Sequence, residues 1–465
     1  MQASLYYQSF NPDVIGKRFP MGEQFMSGFV GMSQDELRAG QNELFMRAVS
    51  RAWQIPFYQR LWQGAGVSPD DIRSIDDIEK LPSFGKAEIM ESVALHPPFG
   101  DHHGRDIPVD GKIIPMVMHT TSGTTGRPQP LVFSPKTREI QSLLLGRLYG
   151  MQGVGVNDVV QSVYGHGLIN GGHYIREAFT KYTSAIFLSA GTGVETPSIK
   201  QVELMRDFGV TILTGFGDYL TRLAQVAVEH GIDPVKDIGL KRIIGHLSFE
   251  SREALNLAWG PQVETFDWYG VGDTGMIAGE GPDHDGLYIM EDAQYLEVCD
   301  IDTGKPVADG ESGDLVISCL FIDDIFPIIR FNTHDITQVL SGQSSMGLPF
   351  RRIAGFLGRS DSMVKIKGIN VFPQAIGNIL RDEPDFAGDY ICVLSKTEAG
   401  KERFAVQIES HQPGDEQRAE QYRQRLKIAL GVDLEVETVG AGALAALTGI
   451  EVRQKPMRLI DQRKG

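Results

Sequence analysis

His119-Thr120-Thr121-Ser122-Gly123-Thr124-Thr125-Gly126-Arg127-Pro128 is the stretch from which the rest of the chain can be read. Five of its ten residues carry hydroxyls, two are glycine and one is arginine. Hydroxyl donors, exposed backbone N–H groups and a cation are what a polyphosphate requires. The run Ile113 to Met118 before it reads as a short buried strand, and Val156 to Val163 after it reads as another. A polar loop held between two apolar strands is fixed at both ends. The stretch does not follow the G-x-x-x-x-G-K-[ST] pattern, since no lysine follows its glycines.

Outward from the loop, helix and strand alternate. The pattern predicts a helix over Ser198–Phe208 closed by Gly209, a strand over Val210–Leu213, a helix over Asp218–Glu229 closed by Gly231, and a strand over Arg242–Ile244. Such alternation predicts α/β layers with largely parallel sheets. Toward the N-terminus, Ser33 and Glu36 have capping-box spacing. Leu37, Leu44, Phe45, Ala48, Val49 and Ala52 follow at helical spacing, and Pro56 ends the run. Pro69-Asp70-Asp71 reads as a second helix start, with Leu81-Pro82 as its stop. After about Gly286 the texture turns β-rich, with turn signals at Asp302-Thr303-Gly304, Asp309-Gly310 and Ser312-Gly313.

From Gly358 onward the pattern predicts a strand (Met363–Val371), a helix (Pro373–Arg381), strands (Tyr390–Ser395 and Arg403–Ile408), a helix (Asp415–Leu430) and a strand (Leu434–Val439). This is a separate α+β domain of roughly 105 residues, within the usual domain range. The fold expectation is therefore α/β. Residues 1–357 form a large N-terminal domain of layered α/β sheets with a β-rich subdomain, and residues 358–465 a small mobile α+β domain.

The chain has 465 residues, 42% of them hydrophobic and 22% charged, an ordinary globular balance. Its formal net charge of −16, with no basic tract, argues against nucleic acid as a partner. Cys299, Cys319 and Cys392 make no C-x-x-C pair, so reduced thiols in a cytoplasmic protein are expected. Residues 1–20 contain no signal-peptide apolar region, and no run approaches the ~18 apolar residues of a membrane span.

Thr121 to Pro128 resembles the phosphate loop of the acyl-adenylate-forming superfamily, which includes acyl-CoA ligases and peptide-synthetase adenylation domains. The resemblance implies that Thr121, Ser122, Gly123, Thr124, Thr125 and Gly126 bind the phosphates of ATP. Further motifs follow in the superfamily's order. Tyr269-Gly270-Val271-Gly272-Asp273 resembles its Tyr-Gly-x-Thr-Glu element, implying that Tyr269 and Gly270 lie against the adenine and that Asp273 holds Mg²⁺. Here aspartate stands for glutamate and glycine for threonine. Arg330-Phe331-Asn332-Thr333-His334-Asp335 resembles the next element, implying that Asp335 accepts hydrogen bonds from both ribose hydroxyls; a carboxylate is an acceptor-only group suited to that task. Gly358-Arg359-Ser360-Asp361 resembles the element in which Arg359 approaches the ribose and Asp361 is the hinge of the C-terminal domain. Lys455 matches by position the C-terminal lysine that contacts carboxylate and α-phosphate, although Gln454 stands where glycine is usual. Lys455 and Asp273 are the expected catalytic residues.

Within the superfamily the whole chain resembles the phenylacetate–CoA ligase group. The resemblance rests on Pro56-Phe57-Tyr58, Pro69-Asp70-Asp71-Ile72, Leu81-Pro82, Lys86, Ile369-Asn370-Val371-Phe372-Pro373 and Tyr164-Gly165-His166-Gly167-Leu168-Ile169-Asn170-Gly171-Gly172. It implies an acyl pocket bordered by Tyr164, His166, Gly167, Gly245 and His246, the last two on a segment that also runs near the adenine. Ser341 to Gly347 contains no cysteine where many relatives carry a metal knot, so no structural zinc is expected.

The activity implied is ligation of an aromatic carboxylic acid (phenylacetate-, benzoate- or indoleacetate-like) to coenzyme A through an acyl-adenylate, with ATP, Mg²⁺ and CoA. A homodimer is expected by analogy. One rival reading keeps the same front half of the site but passes the acyl group to a carrier protein or an amine; the other is a non-catalytic homologue that only binds nucleotide or acyl ligand.

Overall fold

The computed structural model describes residues 2–3, 5–121, 127–247, 252–361, 364–366, 369–380, 383–396, 402–450 and 456–463. They fall into two compact units. The first holds Met1–Asp158, His166–Phe187 and Trp268–Gly355; the second holds Val159–Gly165, Leu188–Asp267 and Phe356–Gly465.

In the first unit, antiparallel strands are ordered Gln294–Cys299, Ser312–Cys319, Ile328–Leu340, Arg352–Ile353, Leu287–Ile289 and Gly275–Glu280, the last pairing with Trp268 to Val271. The helix Gln34–Ala52 is capped as the spacing predicts: Ser33 Oγ accepts from Glu36 N, and the Glu36 side chain reaches back to Ser33. Pro56 opens a new helix, Pro56–Gly64, at its first turn. Pro69-Asp70-Asp71 starts only a 3₁₀ turn, followed by another over Ile75–Lys80.

The structure corrects one strand reading here and adds two helices to the pattern. The run Ile113 to Met118 is not one strand. Lys112–Ile113 and Val117–Thr120 are separate, with Pro115, which has no backbone N–H for a ladder, between them. Asn170, Gly171 and Gly172, from the Gly-rich segment assigned to the pocket, open the helix Asn170–Tyr182, which the sequence pattern did not indicate. The helix Pro135–Met151 escaped the sequence reading. Its polar residues Arg138, Gln141, Ser142 and Arg147 are buried, so it shows no polar face. Arg147 makes a buried, two-pronged ion pair with Asp292 at 2.9 and 3.0 Å.

In the second unit, Val159–Ser162, Ile212–Thr214, Arg242–Gly245 and the first part of Glu264–Val271 run parallel in that order. Helices Ser198–Asp207, Gly217–Glu229 and Arg252–Trp259 alternate with them. Val202, Met205, Leu213, Leu220, Leu223, Ile243 and Trp259 form the shared core. The near-continuous apolar strands are those of a buried parallel sheet.

The small C-terminal domain is a four-stranded sheet ordered Glu435–Gly440, Glu402–Ser410, Phe386–Lys396 and Leu459–Asp461. The helix Glu416–Leu430 packs on it through Tyr422 and Leu426. Asp415 caps that helix and Gly431, at φ +71°, ends it. The stretch Met363–Val371 is not one strand. Val364–Ile366 and Ile369–Val371 pair antiparallel as a hairpin. All three cysteines are buried and unpaired. Among the described residues no helix is long and apolar enough to cross a membrane.

Candidate active site

Ser122, Gly123, Thr124, Thr125, Gly126 and Lys455 lie outside the described residues. The frame of the loop does not. Val117–Thr120 and Pro130–Phe133 pair antiparallel on either side of it. Thr121 N donates to the Gln129 carbonyl, and Gln129 N donates to Thr121 Oγ1, each at 3.1 Å.

Gln129 then joins the loop to Asp273. Its Nε2 donates to Asp273 Oδ1 at 2.6 Å. Burial pushes the Asp273 carboxyl up to about 6, against the opposing pull of the Gln129 hydrogen bond and the Lys86 charge. Desolvation disfavours the charged form, and here it outweighs both of those pulls. No group of three or more His, Cys, Asp and Glu among the described residues is arranged to hold a metal. One carboxylate plus substrate phosphates and water is how Mg²⁺ is usually held, so Asp273 fits that ion.

The segment bearing Asp273 is anchored from behind. Asn170 Nδ2 donates to the Gly272 carbonyl at 2.9 Å. Arg138 Nη1 in turn donates to Asn170 Oδ1, while its Nη2 pairs with Glu177 at 2.6 Å. Gly270 owes its identity to the same hairpin, for a Cβ there would run into the Gly275 carbonyl.

Tyr269 and Asp335 meet directly: Tyr269 Oη donates to Asp335 Oδ2 at 2.6 Å, with both side chains buried. His334, just before Asp335, has φ +57°, and Arg330 has the same value. Non-glycine residues in that region are strained and persist where the surroundings impose them. The ladder to Ser312–Cys319 is also irregular around this point. Such bulges re-aim side chains.

His166 is half-buried and edge-on to His173, with ring centroids 5.9 Å apart. His173 Nε2 lies 2.8 Å from the carbonyl of the exposed Gly167. His119, at the foot of the loop, stacks on His173 at 4.5 Å. Burial and then the Arg138 charge lower the His119 imidazole to about 4, so it is neutral at pH 7.

In the second unit Tyr164, Gly245 and His246 come together. Tyr164 Oη donates to the Gly215 carbonyl at 3.0 Å and lies 2.7 Å from His246 Nδ1. Phe216 stacks on His246 at 4.8 Å and stands edge-on to Tyr164 at 5.1 Å. A Cβ at Gly245 would strike the Gly215 carbonyl oxygen. Glycine is therefore required for the strands to approach. Arg359 grips Asp361 at both oxygens, 2.8 and 2.6 Å, in a partly exposed pair.

Gln129, Phe216 and Asn170's anchoring role were not found in the sequence. Gln129 closes the loop that was recognised, but nothing local marks its side chain as a partner for Asp273.

Paired strands on either side of the hydroxyl-rich sequence, a buried carboxylate bonded to Gln129 and a tyrosine–aspartate pair fit the class of adenylate-forming enzymes. Residues 368–463 match the family of AMP-binding enzyme C-terminal domains. The phenylacetate–coenzyme A ligase of Pseudomonas putida is 30% identical over 74% of this chain and 75% of its own. That of Aromatoleum evansii is 27% identical over 93% of this chain and 96% of its own. The crystal structure of a 2-hydroxyisobutyryl-CoA ligase in the postadenylation state, with 2-HIB-AMP, superposes with a TM-score of 0.82 at 24% identity, covering 94% of this chain and 91% of that one. The chain belongs to the phenylacetate–CoA ligase group of the acyl-adenylate-forming superfamily. It is an AMP-forming CoA ligase that joins a carboxylic acid to CoA through an acyl-AMP, using ATP.

Proposed function

We propose that the acid is aromatic, of the phenylacetate, benzoate or indoleacetate kind. The supporting observation is the ring cluster Tyr164, Phe216 and His246 on a backbone narrowed at Gly245. Flat rings pack edge-on and offset against such groups. The names of the similar ligases support the same class.

In this reading the loop residues Thr121 to Gly126 hold the phosphates, and Tyr269 and Gly270 the adenine. Asp335 and Arg359 hold the ribose. Asp273 would hold Mg²⁺, which when bound supplies charge neutralisation on the phosphates. The carboxylate oxygen attacks the α-phosphorus, the bond to the β-phosphate oxygen breaks, and pyrophosphate leaves. Lys455 stabilises the charge shared between carboxylate and α-phosphate. Residues 358–465 then turn about Asp361 relative to 1–357, withdrawing Lys455. The CoA sulfur attacks the acyl carbon, AMP departs, and the thiol proton passes to solvent. Most of the acceleration comes from positioning and fixed charge.

The test is AMP release from MgATP with phenylacetate, benzoate, anthranilate, indoleacetate and isobutyrate, each with and without CoA. CoA-dependent release with one aryl acid is the expected result. Preference for isobutyrate overturns the aromatic assignment. Release that CoA does not change points to a carrier protein or an amine as acceptor.

A further inference from the structure

Arg458 stands three residues after Lys455 and is almost fully buried. Its position is fixed on the C-terminal sheet. The Arg458 carbonyl accepts from Cys392 N at 2.9 Å, and Met457 N donates to the Thr448 carbonyl at 2.9 Å. The guanidinium lies over the Tyr390 ring at 4.4 Å. It has two carboxylate partners from different parts of the chain. Nη1 pairs with Asp389, in the same C-terminal sheet, and Nη2 pairs with Asp218 at 2.7 Å.

Asp218 belongs to the other side of the proposed hinge. It sits in the first turn of the helix Gly217–Glu229. The residues just before that helix are Gly215 and Phe216, which touch Tyr164 and His246. The Arg458–Asp218 pair therefore ties the segment following Lys455 to the turn that lines the proposed acyl pocket.

The two carboxylates divide the work. Asp389 is itself held by Thr448 Oγ1 at 2.6 Å and stays with Arg458 whatever the C-terminal domain does. Asp218 cannot. If the domain turns, Arg458 keeps one counter-charge, and Asp218 keeps the favourable end of a helix dipole. Neither charge is left buried alone, the outcome that makes breaking an ion pair expensive.

We propose that Asp218 and Arg458 are positioning residues for adenylation: their ion pair docks residues 456–463, which follow Lys455 in the chain, against the start of the helix Gly217–Glu229 for the first half-reaction and is broken for the second. This rests on the reading of Lys455 and Asp361 given above. It adds a named contact on each side of the moving boundary and a link to acyl binding.

The experiment compares wild type, Asp218→Asn, Asp218→Glu and Lys455→Ala. Each is assayed for acid-dependent ATP–pyrophosphate exchange with phenylacetate, benzoate and indoleacetate, and for thioester formation from the matching synthetic adenylates and CoA. Hydrogen exchange over residues 456–463 is followed in the ligand-free proteins, so one readout does not depend on the acid. Asp218→Asn is expected to slow pyrophosphate exchange about tenfold or more, to leave the thioester step within about twofold, and to speed hydrogen exchange in that segment. Asp218→Glu, which keeps the charge, should restore part of the first half-reaction. Equal loss of both half-reactions, or unchanged hydrogen exchange over residues 456–463, overturns the proposal. If Lys455→Ala shows no split while Asp218→Asn does, the role given to Lys455 fails and the docking contact stands. The reverse result sinks the docking contact alone.

Discussion

Tyr269 Oη and Asp335 Oδ2 lie 2.6 Å apart although 66 residues separate them in the chain. The hydroxyl occupies one carboxylate oxygen in this buried place, so in the proposed ribose site the carboxylate would be oriented in advance. Tyr269→Phe should raise the KM for ATP by less than about tenfold and lower stability by about 1 kcal/mol, one hydrogen bond's worth. Asp335→Ala should raise that KM roughly 10- to 100-fold, the range for charge-assisted bonds. Steady-state kinetics in ATP decides. A larger effect from Tyr269→Phe than from Asp335→Ala would reverse the assigned roles.

Asp273 should cost stability at neutral pH. Its folded value, about 6, lies above the unfolded value of 3.8. The folded state therefore binds the proton more tightly. The stability that goes with the neutral carboxyl is fully present below pH 3.8 and is lost as pH rises through about 6. The loss is about 3 kcal/mol at its limit. Ligand-free Asp273→Asn should thus melt above wild type at pH 7 and 8, with the gap closing toward pH 4. The same variant should lose adenylate formation by at least about 100-fold, as expected when a charged site group is removed. Melting curves across pH check the first statement and pyrophosphate exchange the second. A gap that does not change with pH would falsify the assignment of the raised value to Asp273.

Gln129→Leu removes the hydrogen bond that lowers the Asp273 value. The acid limb of the pH–rate profile for adenylation should move to higher pH. Stability at pH 7 should fall by about 1–3 kcal/mol because a buried carboxylate is left without its donor. Gln129→Glu should be worse than Leu, since it sets two carboxylates against each other. An unchanged acid limb in the Leu variant would mean that Asp273 does not control it.

Lys455→Ala should abolish formation of the adenylate and spare thioester formation from a supplied aryl-adenylate. The two assays run on the same preparation. Equal loss of both activities rules out a role confined to the first half-reaction.

Much of the chain was legible as local pattern. Ser33 with Glu36 and Asp415 marked helix starts through their own side chains. Gly209 and Gly231 marked helix ends, at φ +62° and +74°. The readings that failed were those where the local pattern is silent or ambiguous. Pro115 divided what looked like one strand. The helix Asn170–Tyr182 left no clear local signal because two adjacent glycines near its start are poor helix formers, yet it is held by the packing of Tyr174, Ile175 and Phe179. Pro135–Met151 hid because Arg138 and Arg147 are satisfied inside by Glu177 and Asp292.

Local sequence was enough for the capped helices, for the alternation of helix and strand between Ser198 and Ile244, and, through its motifs, for the ligase group. Those features depend on residues within a few positions of one another, where backbone propensity and side-chain capping act. Tertiary structure alone decided which side chains face which. Gln129 finds Asp273 across 144 residues, Tyr164 finds His246 across 82, and Arg458 finds Asp218 across 240. Strand register and helix packing set those distances, and no local preference encodes them.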